Sequence, residues 1–276
     1  MTNKKLKNGI SAILVVYNEE KVIERCLKSL SGVVDEIILI HDGPCDDNTL
    51  EIAKKYTTRV FEGERKGMCE LHYVDYLSKV KFNWVFRLDA DEYMSKKLQK
   101  NIRTLIKRED YNAYTFLWKI WDGKKYISKD FPSKKSLFRM SKLFYIEFPH
   151  KEFETSGKIL ETKYVLEHKP LYNNYTLEKI QSKYKKWCSI NAKYYLEKNL
   201  RSFQTTSKMM EEFHYKIKRQ TKFSHHILCP FWAGYSFFKS FFKRGFYKNP
   251  RTWKVPFYQS IYGWYLCYYI SIEKKK

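Results

Sequence analysis

The sequence predicts an α/β fold with a mainly parallel sheet, and three observations lead to this prediction. Short apolar runs of strand length recur in the first 95 residues, stretches with helical spacing separate them, and polar residues follow the runs. Strands that alternate with helices in this way form βαβ units and a parallel sheet. The chain has 276 residues, 43% of them hydrophobic, which is enough for the core of a large domain.

The first three elements are predicted by apolar spacing and one glycine. Residues 10–16 (ISAILVV) form a continuous apolar run, which is typical of a strand buried on both faces. Residues 22–30 repeat apolar side chains at helical spacing, and Gly32 ends that helix. Residues 36–40 (EIILI) predict a second buried strand.

The next four elements continue the alternation. Asp46 and Asp47 are candidate N-caps for a helix that extends to Tyr56. After this helix, the sequence predicts a short strand at 59–62, a helix at 68–80 and a fourth strand at 84–88 (WVFRL).

Polar residues follow three of the predicted strands, at positions 17–19, 42–43 and 89–91. In open α/β sheets, ligands bind outside the carboxyl ends of the strands. We therefore expect these three loops to converge on one edge of the sheet and to form a site there.

Sequence motifs narrow the chemistry of this site. The dinucleotide motif G-x-G-x-x-G, the phosphate loop G-x-x-x-x-G-K-[ST] and the nucleophile elbow G-x-S-x-G are all absent from the positions that would need them. Asp89 and Asp91 remain, separated by one alanine at a strand end. Paired carboxylates suit Mg²⁺ or Mn²⁺, with diphosphate oxygens completing the coordination. The alternative is that both aspartates cap a helix that starts near Ser95.

Four blocks taken together resemble family 2 glycosyltransferases with a GT-A fold: ISAILVVYNEEKVIERCLKSL, DEIILIHDG, DNTLEIAKKY and WVFRLDADE. Their order and spacing carry the resemblance over residues 10–95. Three later segments, FPHKEF, LEHKPLYNNYTLEKIQSKYKKW and KRGFYKNP, resemble the subgroup that builds lipopolysaccharide cores and other surface glycans. The resemblance implies a GT-A domain over residues 1–200, with a nucleotide-sugar-binding part at 1–115 and an acceptor-side part at 116–200. A helical extension would follow at 201–276.

The resemblance also implies roles for individual residues on the donor side. Tyr17, Asn18 and Glu19 would line the base and ribose of a nucleotide-sugar. Asp42, with the adjacent Gly43, would contact the base and favour uracil, and therefore a UDP-sugar. Asp89 would face the ribose or a metal-bound water, and Asp91 would bind Mg²⁺ or Mn²⁺.

On the acceptor side, the resemblance implies an inverting transfer of the sugar to a hydroxyl of a glycan or lipid-linked glycan. Glu152 is the expected base, and His150 is the alternative, because Lys151 splits the His-Glu pair of the relatives. Relatives often carry Arg-Asn about sixteen residues before the D-x-D, where this chain has Tyr73-Val74. Arg65 and Lys66 are candidate substitutes for that arginine as phosphate partners.

Other histidines and the cysteines receive less specific interpretations. His168 follows a strand-like segment and is interpreted as a satisfied structural histidine, and His214, His225 and His226 as surface residues. The six cysteines include no C-x-x-C pair, which argues against a zinc cluster. No apolar signal peptide precedes residue 10, so a reduced, cytoplasmic protein is expected.

The charge of the chain predicts an anionic partner. Its 53 Lys+Arg and 30 Asp+Glu give a net charge of +23, and the last 76 residues contribute +12 of it. A non-catalytic nucleic-acid-binding protein would explain this charge directly. However, it would leave the carboxylates at the strand ends unexplained, so no nucleic acid is expected.

The C-terminal segment favours a membrane surface as the anionic partner. Four aromatic residues fall on one helical face: Phe231, Tyr235, Phe238 and Phe242. Residues 255–272 are uncharged, but Pro256 and five tyrosines make them too polar for a confident membrane span. The expectation is a peripheral enzyme on the inner face of the plasma membrane, and the alternative is that these helices pack back onto the catalytic domain.

Overall fold

An eight-stranded sheet supports the candidate site. The computed structural model of the chain describes residues 6–126, 133–173, 176–222, 229–243 and 253–276. The strands are β1 Lys7–Val16, β2 Glu36–Asp42, β3 Val60–Gly63, β4 Phe82–Leu88, β5 Glu92–Met94, β6 Ala113–Trp118, β7 Ser133–Arg139, β8 Leu143–Ile146, β9 Glu154–Thr155, β10 Ile159–His168 and β11 Ser202–Phe203. The helices are α1 Ile23–Leu30, α2 Thr49–Lys54, α3 Tyr73–Leu77, α4 Lys96–Ile106, α5 Leu177–Leu196, α6 Ser207–Lys222, α7 Cys229–Phe238 and α8 Lys254–Glu273.

The main sheet has the strand order β3-β2-β1-β4-β7-β6-β10-β5. The predicted parallel pairing of the first two strands is confirmed, with Ser11 opposite Glu36 and Val15 opposite Ile40. β4 lies parallel on the other side of β1, and β3 lies parallel to β2. β7 joins β4 in the antiparallel sense, so the sheet is parallel in its first half and mixed in its second.

Burial on both faces explains why β1 is apolar from Ile10 to Val16 except at Ser11, whose buried hydroxyl donates to Glu36 at 2.6 Å. Ala12 and Leu14 belong to a core formed with α1, α2 and α4, whereas Ile13 and Val15 point into a second core with α3 and β8. Successive side chains of a strand point to opposite faces, so a central strand covered on both sides is apolar at most positions, and a polar residue there needs a hydrogen-bond partner.

Three elements differ in detail from the sequence prediction. The predicted helix at 68–80 consists of a 3₁₀ turn, Cys69–His72, followed by the short α3. The second helix begins at Thr49, whose backbone N–H donates to Asp47 Oδ1 at 2.9 Å. Neither Asp89 nor Asp91 caps α4, because the short strand β5 intervenes and Ser95 Oγ accepts the capping bond from Leu98 N. The capping alternative for the two aspartates is therefore wrong.

A small second sheet has the order β11-β8-β9. β11 pairs with β8 in the antiparallel sense, with Phe203 opposite Tyr145. Arg201, just before β11, pairs with Glu147, just after β8. Residues beyond position 200 thus help to hold the turn that contains His150 and Glu152.

The C-terminal helix α8 packs along α5. Asn191 Nδ2 donates to the Tyr262 hydroxyl at 2.7 Å, and Cys267 and Ile270 are buried. One face of α7 and of the π-helical turn that follows it exposes Phe231, Tyr235, Phe238 and Phe242, and α8 exposes Phe257, Trp264 and Tyr268. None of the described helices is long and apolar enough to span a bilayer. His225, His226 and the basic segment at 244–250 lie outside the described residues.

Candidate active site

The loops after β1 and β2 are held together by a buried histidine. Asn18 adopts a left-handed conformation, with φ of 50°, and its backbone N–H donates to His41 Nε2 at 3.1 Å. His41 Nε2 is therefore the acceptor nitrogen, and its Nδ1 carries the proton that is donated to the Gly43 carbonyl at 2.6 Å. This chain of bonds fixes the first two predicted loops beside each other at the carboxyl edge of the sheet.

Tyr17 forms an aromatic wall at this edge. The Arg65 guanidinium carbon lies 3.3 Å from the centroid of the Tyr17 ring, a close cation–π contact. Asp46 Oδ2 accepts hydrogen bonds from the Tyr17 hydroxyl at 3.4 Å and from Asn18 Nδ2 at 3.3 Å. The wall is 38% exposed and can stack on a flat ligand from its open side.

Asp42 is a buried acceptor at the end of β2. Its carboxylate receives hydrogen bonds from Arg65 Nη1 (2.7 Å), Lys66 N (2.6 Å), His72 Nε2 (2.8 Å) and Gly67 N, which lies 3.2 and 3.0 Å from the two oxygens. Burial acts to raise the pKa of Asp42, but the bonds from His72 and Lys66 outweigh it and lower the pKa. The carboxylate holds the loop at 65–67, and a bond to a ligand base would have to replace one of these contacts.

The residues around Asp42 are also held by contacts within the protein. Gly43 has φ of +93°, and a Cβ there would lie 2.8 Å from Arg65 Cβ, so this position requires glycine. Lys66 Nζ donates to the Leu71 carbonyl at 2.7 Å and to Asp75 at 2.9 Å. The ammonium of Lys66 is therefore directed to α3, and the guanidinium of Arg65 to Tyr17 and Asp42.

Lys134 from β7 bridges two acidic residues at the end of β4. Its Nζ lies 2.6 Å from Asp89 Oδ2 and 2.6 Å from Glu92 Oε1. Glu92 is fully buried and also accepts from Trp118 Nε1 at 2.6 Å. Burial acts to raise the pKa of Asp89, but Lys134 and then Arg87 lower it to about 2. Asp89 is therefore ionised across the neutral range.

Asp91 faces His168 at the end of β10. His168 Nε2 lies 3.3 Å from Asp91 Oδ2, and its ring stacks on Trp118 with the centroids 4.1 Å apart. His168 Nδ1 is buried and has no hydrogen-bond partner among the described residues. The expectation that His168 is a satisfied structural histidine is therefore wrong.

The donor set at Asp91 and His168 suits a divalent metal ion. A carboxylate oxygen is a ligand of both Mg²⁺ and Mn²⁺, and an imidazole nitrogen favours a transition metal such as Mn²⁺ over Mg²⁺; one or two protein groups commonly suffice, with phosphate oxygens and water completing the coordination. No group of three His, Cys, Asp or Glu side chains that could hold a metal occurs in the described part of the chain. The two residues thus fit an ion that is shared with a diphosphate ligand.

Glu19 and Lys183 face Asp91 from two further elements. Glu19 follows β1, and its backbone N–H donates to Thr49 Oγ1 at 2.7 Å. Burial raises the pKa of Glu19 to about 7, and the charge of Asp91 adds to this effect, whereas Lys183 opposes it. Burial lowers the pKa of Lys183, which lies on α5, and Asp91 and Glu19 act in the other direction. Helix α5 therefore places a positive group opposite the acidic edge.

His150 lies between α5 and α8. Its ring makes edge contacts with Trp187 and Tyr262, with centroids 5.2 and 5.4 Å away, and Nδ1 lies 3.9 Å from Glu70 Oε1. Burial lowers the pKa of His150, although Glu70 acts to raise it. The imidazole is therefore neutral at neutral pH, and it contacts two aromatic rings while remaining 36% exposed.

Glu152 is the more accessible of the two candidate bases. Its side chain is 52% exposed, and its nearest cation is Lys135, at 3.6 Å. An incoming hydroxyl can reach this carboxylate without displacing a tight protein contact. Its role stays a prediction, as does that of His150.

Sequence reasoning missed three residues of this site: Lys134, His168 and Lys183. The position of His168 at a strand end was a usable signal, because polar residues at strand ends had already predicted the other loops. Lys134 and Lys183 belong to a sequence with 53 basic residues, and no local pattern distinguishes them from the others.

Comparison with known proteins shows which family and structures this chain resembles. The model of the family described as glycosyl transferase family 2 matches residues 11–168. An uncharacterized glycosyltransferase of Rickettsia conorii is 30% identical over 119 residues, and one of Rickettsia bellii is 31% identical over 110 residues. These matches cover 41% and 40% of this chain, and 39% and 36% of the relatives. The chain therefore spans about two fifths of the length of the curated relatives that it matches.

Solved structures show more distant similarity. S. aureus TarS (residues 1–349) aligns over 96% of this chain and 91% of its own, with 14% identity and a TM-score of 0.44. Glucosyl-3-phosphoglycerate synthase from Mycobacterium tuberculosis, solved with Mn²⁺ and UDP-glucose, aligns over 41% of this chain and 44% of its own, with 22% identity and a TM-score of 0.35.

Proposed function

This chain belongs to glycosyl transferase family 2, and we propose that it transfers a sugar with inversion from a UDP-sugar to a hydroxyl of a glycan or lipid-linked glycan. The surface polysaccharides and lipopolysaccharides of bacteria are the acceptor class that the sequence resemblance favours. The observation that carries the proposal is the Asp91–His168 pair, which lies opposite Glu19 and Lys183 at the edge where the loops after β1, β2 and β4 meet.

The donor would lie along this edge. Tyr17 offers an aromatic face for the base, and Asp42 keeps the adjoining loop in place through its five short contacts. Lys183 would face the diphosphate, in place of the arginine that this chain lacks at Tyr73. Asp89, held ionised by Lys134, would accept a hydrogen bond from the ribose or the sugar.

Asp91 and His168 would hold Mn²⁺ or Mg²⁺ together with the diphosphate. When bound, such an ion neutralises the negative charge that develops on the departing diphosphate. The protein fixes both ligands in advance, because Trp118 stacks on the imidazole and the Lys169 backbone N–H donates to the Asp91 carbonyl at 3.0 Å.

The transfer itself requires a base on the acceptor side. Glu152 would take the proton of the acceptor hydroxyl while the oxygen of that hydroxyl forms the bond to the anomeric carbon. The bond from that carbon to the diphosphate oxygen breaks in the same step, and its electron pair leaves with the diphosphate. His150 is the alternative base, and its neutral imidazole is in the correct state to accept a proton.

The proposal is tested with UDP and Mn²⁺. We expect UDP to raise the unfolding temperature of the protein only when Mn²⁺ is present, and a panel of UDP-sugars to show slow, Mn²⁺-dependent hydrolysis. Asp91→Ala and His168→Ala should each remove both effects, whereas Lys135→Met, a matched change outside the donor edge, should keep them. Unchanged hydrolysis by Asp91→Ala, or full activity in EDTA, would overturn the mechanism.

We also propose that α7 and α8 dock the enzyme on an anionic membrane. The support is the aromatic face formed by the exposed rings of Phe231, Tyr235, Phe238, Phe257 and Trp264, which are 47–73% exposed. Tyr and Trp favour the headgroup level, and basic residues near a membrane each contribute about 1 kcal/mol of attraction to anionic lipids. Docking in this way would place a lipid-linked acceptor close to the enzyme on the inner face of the plasma membrane.

Vesicle flotation tests the membrane proposal separately. We expect the protein to float with vesicles rich in phosphatidylserine at low salt and to be released at high salt. Replacement of Phe231 and Phe238 by serine should abolish flotation and leave UDP binding intact. Failure of the wild-type protein to bind these vesicles at low salt would refute docking without affecting the transferase proposal.

A further inference from the structure

Arg87 is a buried cation without a hydrogen-bonding partner among the described residues. It lies on β4, is 9% exposed, and its enclosed Nε makes no hydrogen bond. Its guanidinium carbon lies 5.9 and 5.5 Å from the ring centroids of Tyr73 and Phe153. Rings at these distances leave the planar donor groups of the guanidinium unsatisfied.

The acidic groups near Arg87 pair with other cations. The negative charges of Asp89 and Glu152 raise the pKa of Arg87 and so favour its protonated form, whereas burial acts to lower this pKa. However, Asp89 pairs with Lys134 at 2.6 Å, and Glu152 approaches Lys135 at 3.6 Å. A buried charge is costly unless it is paired, so the unsatisfied guanidinium points to a missing partner.

Ser136 provides a second unsatisfied group at the same place. It is fully buried on β7, and its Oγ has no hydrogen-bond partner among the described residues. β4 and β7 are antiparallel neighbours with Val85 opposite Phe138. Phe86 lies opposite Leu137 at the end of this pairing, so Arg87 and Ser136 are the next residues of the two strands and are neighbours along the backbone, at a point where the register between β7 and β6 shifts.

We propose that Arg87 and Ser136 form a subsite for an oxyanion on the acceptor, either a carboxylate or a phosphate ester. This inference rests on the proposed transferase function and adds the class of acceptor to it. A guanidinium pairs with such planar or tetrahedral oxyanions through two parallel bonds, and a serine hydroxyl can add a third.

The position of the subsite favours the acceptor over the donor. The guanidinium of Arg87 lies 5.5 Å from the ring centroid of Phe153, which directly follows the candidate base Glu152, and the charge of Glu152 favours the protonated form of Arg87. Lys183 instead interacts with the charges of Asp91 and Glu19. An anionic group held by Arg87 would place a neighbouring hydroxyl of the same sugar near Glu152.

The test compares three sugars that differ in charge, namely glucose, glucuronate and glucose 6-phosphate. Each is titrated into the full-length protein with saturating UDP and Mn²⁺, and dissociation constants are taken from the shift of the unfolding temperature. We expect at least one of the two acidic sugars to bind about tenfold more tightly than glucose. The acidic sugar that binds identifies whether the oxyanion is a carboxylate or a phosphate.

Arg87→Met should bring the affinity for that acidic sugar to the level of glucose, and Arg87→Lys should restore part of the difference. Ser136→Ala is a smaller change and should weaken the binding of the acidic sugar severalfold. It replaces Arg87→Met as the test if that variant does not fold. Arg139→Met is the matched control, because Arg139 also has an enclosed, unpaired Nε on this sheet but lies beside Trp84, at the other end of β4.

The outcomes separate the two proposals. If UDP and Mn²⁺ fail to stabilise the wild-type protein, the transferase proposal fails and the subsite falls with it. If UDP binds but neither acidic sugar binds more tightly than glucose, the subsite alone is refuted. If Arg87→Met weakens UDP as much as the acidic sugar, Arg87 contacts the donor diphosphate and the assignment to the acceptor is wrong.

Discussion

Replacement of Lys134 by methionine tests whether the acidic end of β4 depends on a cation from β7. The change keeps the aliphatic stem but leaves Glu92, which is fully buried, and Asp89, whose side chain is 44% exposed, without their shared partner at 2.6 Å. Removal of one partner from a buried ion pair costs about 3–5 kcal/mol. We expect about 3 kcal/mol, because water screens the exposed half of Asp89.

Thermal unfolding measures this loss. At about 2–4 °C per kcal/mol for a chain of this size, Lys134→Met should lower the unfolding temperature by about 6–12 °C at pH 7. Lys135→Met is the control, since its partner Glu152 is 52% exposed and 3.6 Å away, and it should cost less than about 1 kcal/mol.

A double variant separates charge from packing. Lys134→Met leaves the buried charge of Glu92 without a partner. Adding Glu92→Gln removes that charge, so more than half of the lost stability should return. The reasoning is refuted if Lys134→Met unfolds within 2 °C of the wild type, or if the second change brings no recovery.

Three further predictions concern other contacts of the site. The pKa of Asp75 is lowered to about 2 by its hydrogen bonds against the effect of burial, so Asp75→Asn should cost about 1 kcal/mol at neutral pH, with allowance for its 37% exposure. This difference should shrink as the pH falls below about 4 and disappear only below about 2 in acid denaturation curves, and a gap that does not shrink between about pH 4 and about pH 2 would contradict the assignment. Gly43→Ala places a Cβ 2.8 Å from Arg65 at a positive φ, and calorimetric titration should show at least tenfold weaker UDP binding; unchanged affinity would contradict this. Tyr262→Phe removes the acceptor of the 2.7 Å bond from Asn191 and should cost about 1–2 kcal/mol in urea denaturation, with α8 becoming more sensitive to protease; equal stability would contradict this.

The parallel half of the fold could be predicted from sequence because its signals are local. The run at 10–16 is apolar at every position except Ser11, and a strand buried on both faces favours this pattern. The convergence of the loops at 17–19, 42–43 and 89–91 followed from one rule about parallel strands. The position of Asp91 at the site was therefore predictable.

The remaining site residues come from strands that are not neighbours in sequence. β7 lies beside β4, and β10 reaches the same edge through β6, so Lys134 and His168 approach the aspartates only after the sheet order is known. Lys134 is 45 residues from Asp89, and no spacing rule connects them. Likewise, the polar, tyrosine-rich composition of residues 255–272 left the place of α8 open, because both a membrane surface and the face of α5 accept such a helix.

The small sheet of β11, β8 and β9 is completed later in the synthesis of the chain than the first strands of the main sheet. Strands β1 to β4 are complete once the first 88 residues have been synthesised, and short loops connect them. The pairing of β8 with β9 closes the turn with His150 and Glu152 locally, but Arg201 bonds to Glu147, 54 residues earlier in the chain, and β11 pairs with β8. Long loops close late and slowly. On the ribosome, β1 to β4 can therefore pair before residues 201–203 have been synthesised, whereas the small sheet gains its third strand only after them.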